Sequence, residues 1–201
     1  MFLGPLYEFA KNDPVGHGLN GNSAIGRAYQ QLVATITATV AESRGVYTWG
    51  KFDVAGTWHH IYIGQSGIGA RPNLRKRLRD ELRKERSLIW RHTMSVGQLR
   101  TKSLEYYPAP GGTGRYDYGW TRVLAKSGST HIIWVSTEHD GAILENVEAA
   151  LIEILKPAAN IRRRRPLSVA GRVLSDIVGQ FNARINSCGT PAFVMFDPFE
   201  T

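Results

Sequence analysis

The sequence predicts an α+β fold, and three observations carry that expectation. Two β-rich runs, RGVYTWG (44–50) and WHHIYIG (58–64), lie either side of a short turn-forming segment. A further run, HIIWVST (131–137), reads as a third strand. Segments with apolar residues at helical spacing stand before, between and after them. The 201 residues suffice for one sizeable core with decorated ends. No stretch approaches the roughly 18 consecutive apolar residues that a membrane span requires. The N-terminal MFLGPLYEFAKNDP has no basic segment before an apolar run, so an intracellular, cytoplasmic protein without membrane attachment is expected. A single cysteine, Cys188, excludes an internal disulfide framework and a multi-cysteine zinc site.

Charge narrows the class of partner. The chain carries 25 Lys and Arg against 17 Asp and Glu, a formal net charge of +8. Residues 71–91 concentrate it, with nine basic against three acidic side chains, and Arg162, Arg163, Arg164 and Arg165 form a second run. One run can be a solvated helix face; two around one core favour phosphate binding.

Residues 1–22, spotted with Gly, Asn and Pro, read as a loose arm. Ser23 can cap a helix over about 24–42, with Ile25, Tyr29, Leu32, Val33 and Ile36 in its apolar stripe. The hairpin follows, its bend supplied by Asp53, Gly56 and Thr57. A symmetric hairpin centred on residues 54 and 55 sets Tyr47 opposite Tyr62 and Trp49 opposite His60. All four then share one face, and Val46, Thr48, Ile61 and Ile63 share the other. A cross-strand aromatic pair of this kind can serve packing alone. From Asn73, a plausible cap, a basic helix carries the stripe Leu74, Leu78 and Leu82. Arg77 falls at one margin of that stripe and Arg75 at the other, while Lys76, Arg79 and Arg83 point away. Asp140 or Gly141 opens another helix, which ends before Pro157; Glu148 sits at the edge of its buried stripe. A lone carboxylate there suits Mg²⁺ completed by waters and phosphate, or equally an ion pair with a nearby arginine. Residues 167–185 predict a C-terminal helix, and the tail AFVMFDPFE is apolar enough to fold back.

These residues resemble the GIY-YIG nuclease superfamily. Gly45-Val46-Tyr47 stands where that family has its first triplet, and Tyr62-Ile63-Gly64 is identical to the second. Leu74-Arg75-Lys76-Arg77-Leu78 resembles the family's arginine helix and favours Arg77 over Arg75. EAALIEILKPAAN (148–160) resembles the segment that carries the family's metal-binding glutamate, here Glu148, and ends on Asn160. The resemblance covers residues 45–160, flanked by 1–44 and a basic extension, 161–201. It implies a small three-stranded antiparallel sheet flanked by helices, and phosphodiester hydrolysis with one Mg²⁺ or Mn²⁺ per active site on Glu148. Arg77 would stabilise the transition state, Tyr47 act as base or pass on the water's proton, Tyr62 orient water or phosphate, and Asn160 brace the fold. Two departures stand out. Many members carry histidine four residues after the arginine, where this chain has Glu81; His60, His59 or His92 could substitute, or Glu81 could itself be a second metal contact or an i,i+4 partner of Arg77. Residues 87–130 form an insertion, whose Tyr106, Tyr107, Tyr116, Tyr118 and Trp120 lie among Lys102, Arg115, Arg122 and Lys126. Such interleaving suits nucleic-acid contact or a self-packed loop. With Arg75, Arg79, Lys102, Arg115 and the 162–165 run as DNA contacts, the expectation is an endonuclease for double-stranded DNA. The restriction type leads, and it would be a homodimer if its site is palindromic. A non-catalytic nucleic-acid-binding module on a degenerate nuclease fold, or a structure- or single-strand-selective nuclease, is the alternative.

Overall fold

The computed structural model describes residues 1–13, 16–68, 72–84, 129–157, 160 and 171–188. The aromatic-rich insertion up to residue 128, His92, Lys102, Arg115, Arg162 to Arg165 and the apolar tail lie outside the described residues. Within them the class is α+β. Five α-helices accompany one antiparallel sheet: α1 (Gly4–Lys11), α2 (Ala24–Ile36), β1 (Gly45–Phe52), β2 (Trp58–Ser66), α3 (Leu74–Lys84), β3 (His131–Ser136), α4 (Gly141–Leu155) and α5 (Gly171–Cys188). The strand order is β2-β1-β3, so β1 is central.

The caps lie where the side-chain chemistry places them. Ser23 Oγ accepts from Gly26 N at 2.8 Å, Asn73 Oδ1 from Lys76 N at 2.8 Å, and Asp140 Oδ1 from Ile143 N at 2.9 Å. Helix α2 stops at Ile36, short of the expected 42. Thr37 Oγ1 bonds back to Val33 O at 2.7 Å within a Thr-rich stretch of low helix propensity. Residues 1–22 are not a loose arm throughout. Gly4-Pro5 punctuates the chain but begins a helix, because proline fits the first helical turn. Leu3, Leu6, Tyr7 and Ala10 then recur at i, i+3, i+4 and i+7, and all four are buried.

The sheet separates two apolar layers. On one face Tyr47, Trp49, Ile61, Tyr62 and Ile132 pack against α1, α2 and the Leu74–Leu78–Leu82 stripe of α3. On the other, Val46, Ile63, Ile133 and Val135 meet Val147, Leu151 and Ile152 of α4 and Ile177, Phe181 and Ile185 of α5. The three α3 leucines are at most 1% exposed; each contributes about 1.5–3 kcal/mol by leaving water. This burial fixes which side of α3 faces the strands.

His131 is buried at the start of β3, edge-on to the Phe52 and Trp58 rings, with Nδ1 2.9 Å from Thr130 Oγ1. Burial pulls its pKa down to about 4, and His60 is lowered to about 4 for the same leading reason. Both imidazoles are therefore neutral in the fold, whereas an unfolded chain protonates them below its ordinary 6.5. The contribution of these two imidazoles is expected to be constant above about pH 6.5 and to fall as pH drops towards 4, by on the order of 2–3 kcal/mol for His131. Urea titrations at pH 7.5, 5.5 and 4.5 check this. A His131→Gln variant should flatten the acid limb, and an unchanged limb would refute the assignment.

Candidate active site

Strand β1 brings Tyr47 and Trp49 to the face covered by α3. The Tyr47 hydroxyl donates to Glu81 Oε1 at 2.6 Å, and Trp49 Nε1 donates to Glu81 Oε2 at 3.1 Å. Arg77, one turn earlier on the helix, donates through Nε to Tyr47 Oη at 3.1 Å and pairs through Nη2 with Glu81 Oε1 at 3.0 Å. Glu81 is only 3% exposed and Tyr47 is fully buried, whereas the Arg77 side chain keeps 43% of its surface in solvent. The cluster is thus a buried carboxylate held by three donors, with one guanidinium reaching outward.

Its electrostatics follow from that burial. Desolvation raises the Tyr47 pKa well above the ordinary phenol value, and the Glu81 charge raises it further. Tyr47 is therefore a protonated donor near neutrality, its hydroxyl directed at Glu81. The adjoining Tyr47 oxygen, followed by Glu81, pushes the Arg77 pKa up despite its partial burial, so the guanidinium stays charged.

The hairpin register differs from the symmetric one. Tyr47 pairs with Gly64 and Trp49 with Tyr62, after which a β-bulge brings Gly50 opposite His60. Ile61 is the additional residue, and from there the faces exchange. Ile61 joins the aromatic face, and His60 moves to the opposite one, where its Nδ1 lies 3.0 Å from Thr48 Oγ1. His60 is therefore not part of the Tyr47 cluster. It lines a cavity of about 550 Å³ with Phe52, Trp58, Asn182 and Ile185. His59 is also elsewhere, its Nε2 2.9 Å from Asp53 in the hairpin turn. Tyr47 and Tyr62 share a face as diagonal rather than direct neighbours, with ring centroids 6.3 Å apart.

The remaining predicted residues divide. Arg75 is tied down: its Nε donates to Val40 O at 2.7 Å and its Nη1 to Glu42, so it fastens α3 to the segment after α2. Arg79 is half-buried. Asn160 braces the sheet, its amide accepting from Ile63 N and donating to Ile63 O, both at 2.8 Å. Glu148 is half-buried on α4, which packs along β2 and against the sheet face opposite the Tyr47 cluster. Among the described residues no group of three or more His, Cys, Asp or Glu side chains could hold a metal ion. A single half-buried carboxylate such as Glu148 is the kind of ligand a hard ion takes when water and phosphate oxygens complete its shell.

Trp49 was not among the site candidates, and Glu81 stood only as a departure, open to a metal contact or to an i,i+4 pairing with Arg77, of which the structure shows the pairing. The signal for Glu81 is its place seven residues after Leu74, on the buried stripe of α3. A carboxylate there has to find donors, and the facing strand supplies a phenol and an indole.

No family model, curated protein or solved structure matches the chain.

Proposed function

We propose that this chain is a divalent-metal-dependent nuclease that hydrolyses DNA phosphodiester bonds, with a type II restriction endonuclease as its leading subtype. One observation carries the reading. Arg77 is fixed on Tyr47, beside Tyr62, on the two strands and the helix that hold the triplets and arginine of the GIY-YIG pattern. The basic charge of the chain supports a phosphate-bearing substrate.

In this reading Arg77 is the catalytic cation. Its exposed edge meets the phosphate oxygens that gain charge in the transition state, where a fork of fixed donors is most effective. Tyr62, 8% exposed on the same face, orients the phosphate or the attacking water. Glu148, carried by the helix that packs along edge strand β2 on the other face of the sheet, would hold Mg²⁺ or Mn²⁺. The reading requires the phosphate to lie at that edge, where the ion would supply Lewis-acid polarisation and a more acidic bound water. Asn160 keeps β2 in place. A homodimer is the expected form if the cleaved site is two-fold symmetric.

The test is cleavage of supercoiled plasmid and long linear DNA with Mg²⁺ or EDTA, with Glu148→Ala alongside. Discrete bands that need Mg²⁺ and are at least about 10³-fold slower to form in the variant are the expected result. A smear or nicking alone removes the restriction subtype. Binding without cleavage of duplex, single-stranded DNA or RNA would replace the nuclease with a nucleic-acid-binding module.

A further inference from the structure

We propose that Glu81, with Tyr47 and Trp49, is a positioning device that holds the Arg77 guanidinium in one orientation, and that Tyr47 acts through Arg77 rather than on the nucleophile. The inference rests on the nuclease reading above and assigns a role to a carboxylate found where the related pattern has histidine.

The geometry points to it on three counts. Glu81 receives donors from three side chains on two elements: Tyr47 at 2.6 Å, Arg77 at 3.0 Å and Trp49 at 3.1 Å. Both Tyr47 and Glu81 are sealed from solvent, and only Arg77 crosses from the buried cluster to the surface. Two of the Arg77 nitrogens, Nε and Nη2, are taken up by the phenol oxygen and the carboxylate. A planar guanidinium gripped on that side cannot rotate about its terminal bonds, so its outer N–H groups keep a fixed direction. Preorganisation of this kind acts on turnover, because the donors need no reordering when charge develops on the phosphate.

The device has an electrostatic cost that makes it testable. A buried negative charge 3.0 Å from Arg77 offsets part of the attraction between the guanidinium and DNA phosphates. Glu81→Gln keeps the shape, removes the charge and loosens the grip. Binding to a mixed-sequence duplex oligonucleotide in EDTA is expected to tighten about two- to five-fold at low salt. Plasmid cleavage by the same variant is expected to slow on the order of 10²-fold at saturating DNA. Binding and turnover thus move in opposite directions, which a merely destabilised fold cannot produce. Ultraviolet titration of the phenols gives a readout without activity: one tyrosine should ionise at lower pH in Glu81→Gln than in the wild type.

Wild-type turnover in Glu81→Gln, or equal loss of binding and turnover, would overturn the proposal. Should Glu81→Gln not fold, Tyr47→Phe decides. It removes one contact to Arg77 and is expected to slow cleavage about ten-fold with an unchanged pH profile; loss of a pH limb would make Tyr47 the base and end the positioning role. If the wild type cuts no nucleic acid, the nuclease reading fails. Tighter binding and the shifted phenol in Glu81→Gln would then still uphold the arginine-holding cluster, and their absence would refute it.

Discussion

Arg77→Ala is expected to lower DNA cleavage by about 10³-fold or more and to leave residual activity with unchanged metal dependence. The variant removes the one member of the buried cluster that reaches solvent. It also takes from Glu81, 3% exposed, the cation that pairs with it at 3.0 Å beside the neutral donors Tyr47 and Trp49. A buried carboxylate that loses its cation destabilises the fold; with Arg77 partly solvated the loss should be about 1–2 kcal/mol. Arg77→Lys separates charge from geometry. A lysine retains the positive charge but has a single nitrogen, which cannot grip both the phenol oxygen and the carboxylate as the guanidinium does. Its cleavage rate is expected about 10²-fold below wild type, with stability closer to wild type than Arg77→Ala. Plasmid cleavage rates and urea melts of the two variants check both statements. Wild-type cleavage by Arg77→Lys would mean that charge alone matters.

Gly64→Ala is expected to cost about 1–3 kcal/mol of stability and at least about 10²-fold in cleavage, an unusual outcome for adding one methyl group to a strand. Gly64 is paired with Tyr47 across the hairpin. A Cβ there would lie 2.5 Å from Tyr47 Oη and 2.6 Å from its Cζ, well inside contact distance. The phenol has nowhere to withdraw, because it is fully buried and bonded to Glu81 at 2.6 Å. The methyl group must therefore dislodge the hydroxyl from the carboxylate or push the strands apart. A urea melt together with phenol titration would detect either, and a variant with wild-type stability and titration would show that the ring can move aside. The glycine that ends the Tyr62-Ile63-Gly64 triplet is thus explained by the tyrosine opposite it.

Most of the secondary structure was legible because it rests on local chemistry. The 3.6-residue stripes of α2, α3 and α4, the caps Ser23, Asn73 and Asp140, and the Asp53–Thr57 bend each lie within a few neighbouring residues. Helix α1 was hidden by two residues, Gly4 and Pro5, that signal loops as often as helix starts. The site was legible only in part. Arg77 could be separated from Arg75 only through the family pattern, since both sit at margins of one stripe. The structure distinguishes them by what they meet, the hairpin for one and Val40 O with Glu42 for the other. Alternation along β1 and β2 placed Tyr47, Trp49 and Tyr62 correctly on one face. It failed at His60 and Ile61, because a bulge inserts one residue and nothing in the local sequence demands it there. Two of the donors to Glu81, Tyr47 and Trp49, were hidden for another reason: they come from a strand more than 30 positions away, a separation that periodicity does not report.

The Asn160 amide has a consequence for assembly. Strand β2 is an edge, and unpaired N–H and C=O groups on an edge invite a strand from another molecule. At Ile63 the side chain of Asn160 occupies both groups, imitating one residue of a neighbouring strand. The far edge is closed in the same way, where Leu3 N bonds to Thr130 O and Ile132 N to Met1 O alongside β3. With a side chain stopping one margin and the chain's own first residues the other, the sheet is a finished object at these positions. Another copy of this protein cannot pair strand to strand through Ile63 or Ile132 themselves, where these partners already hold the backbone groups.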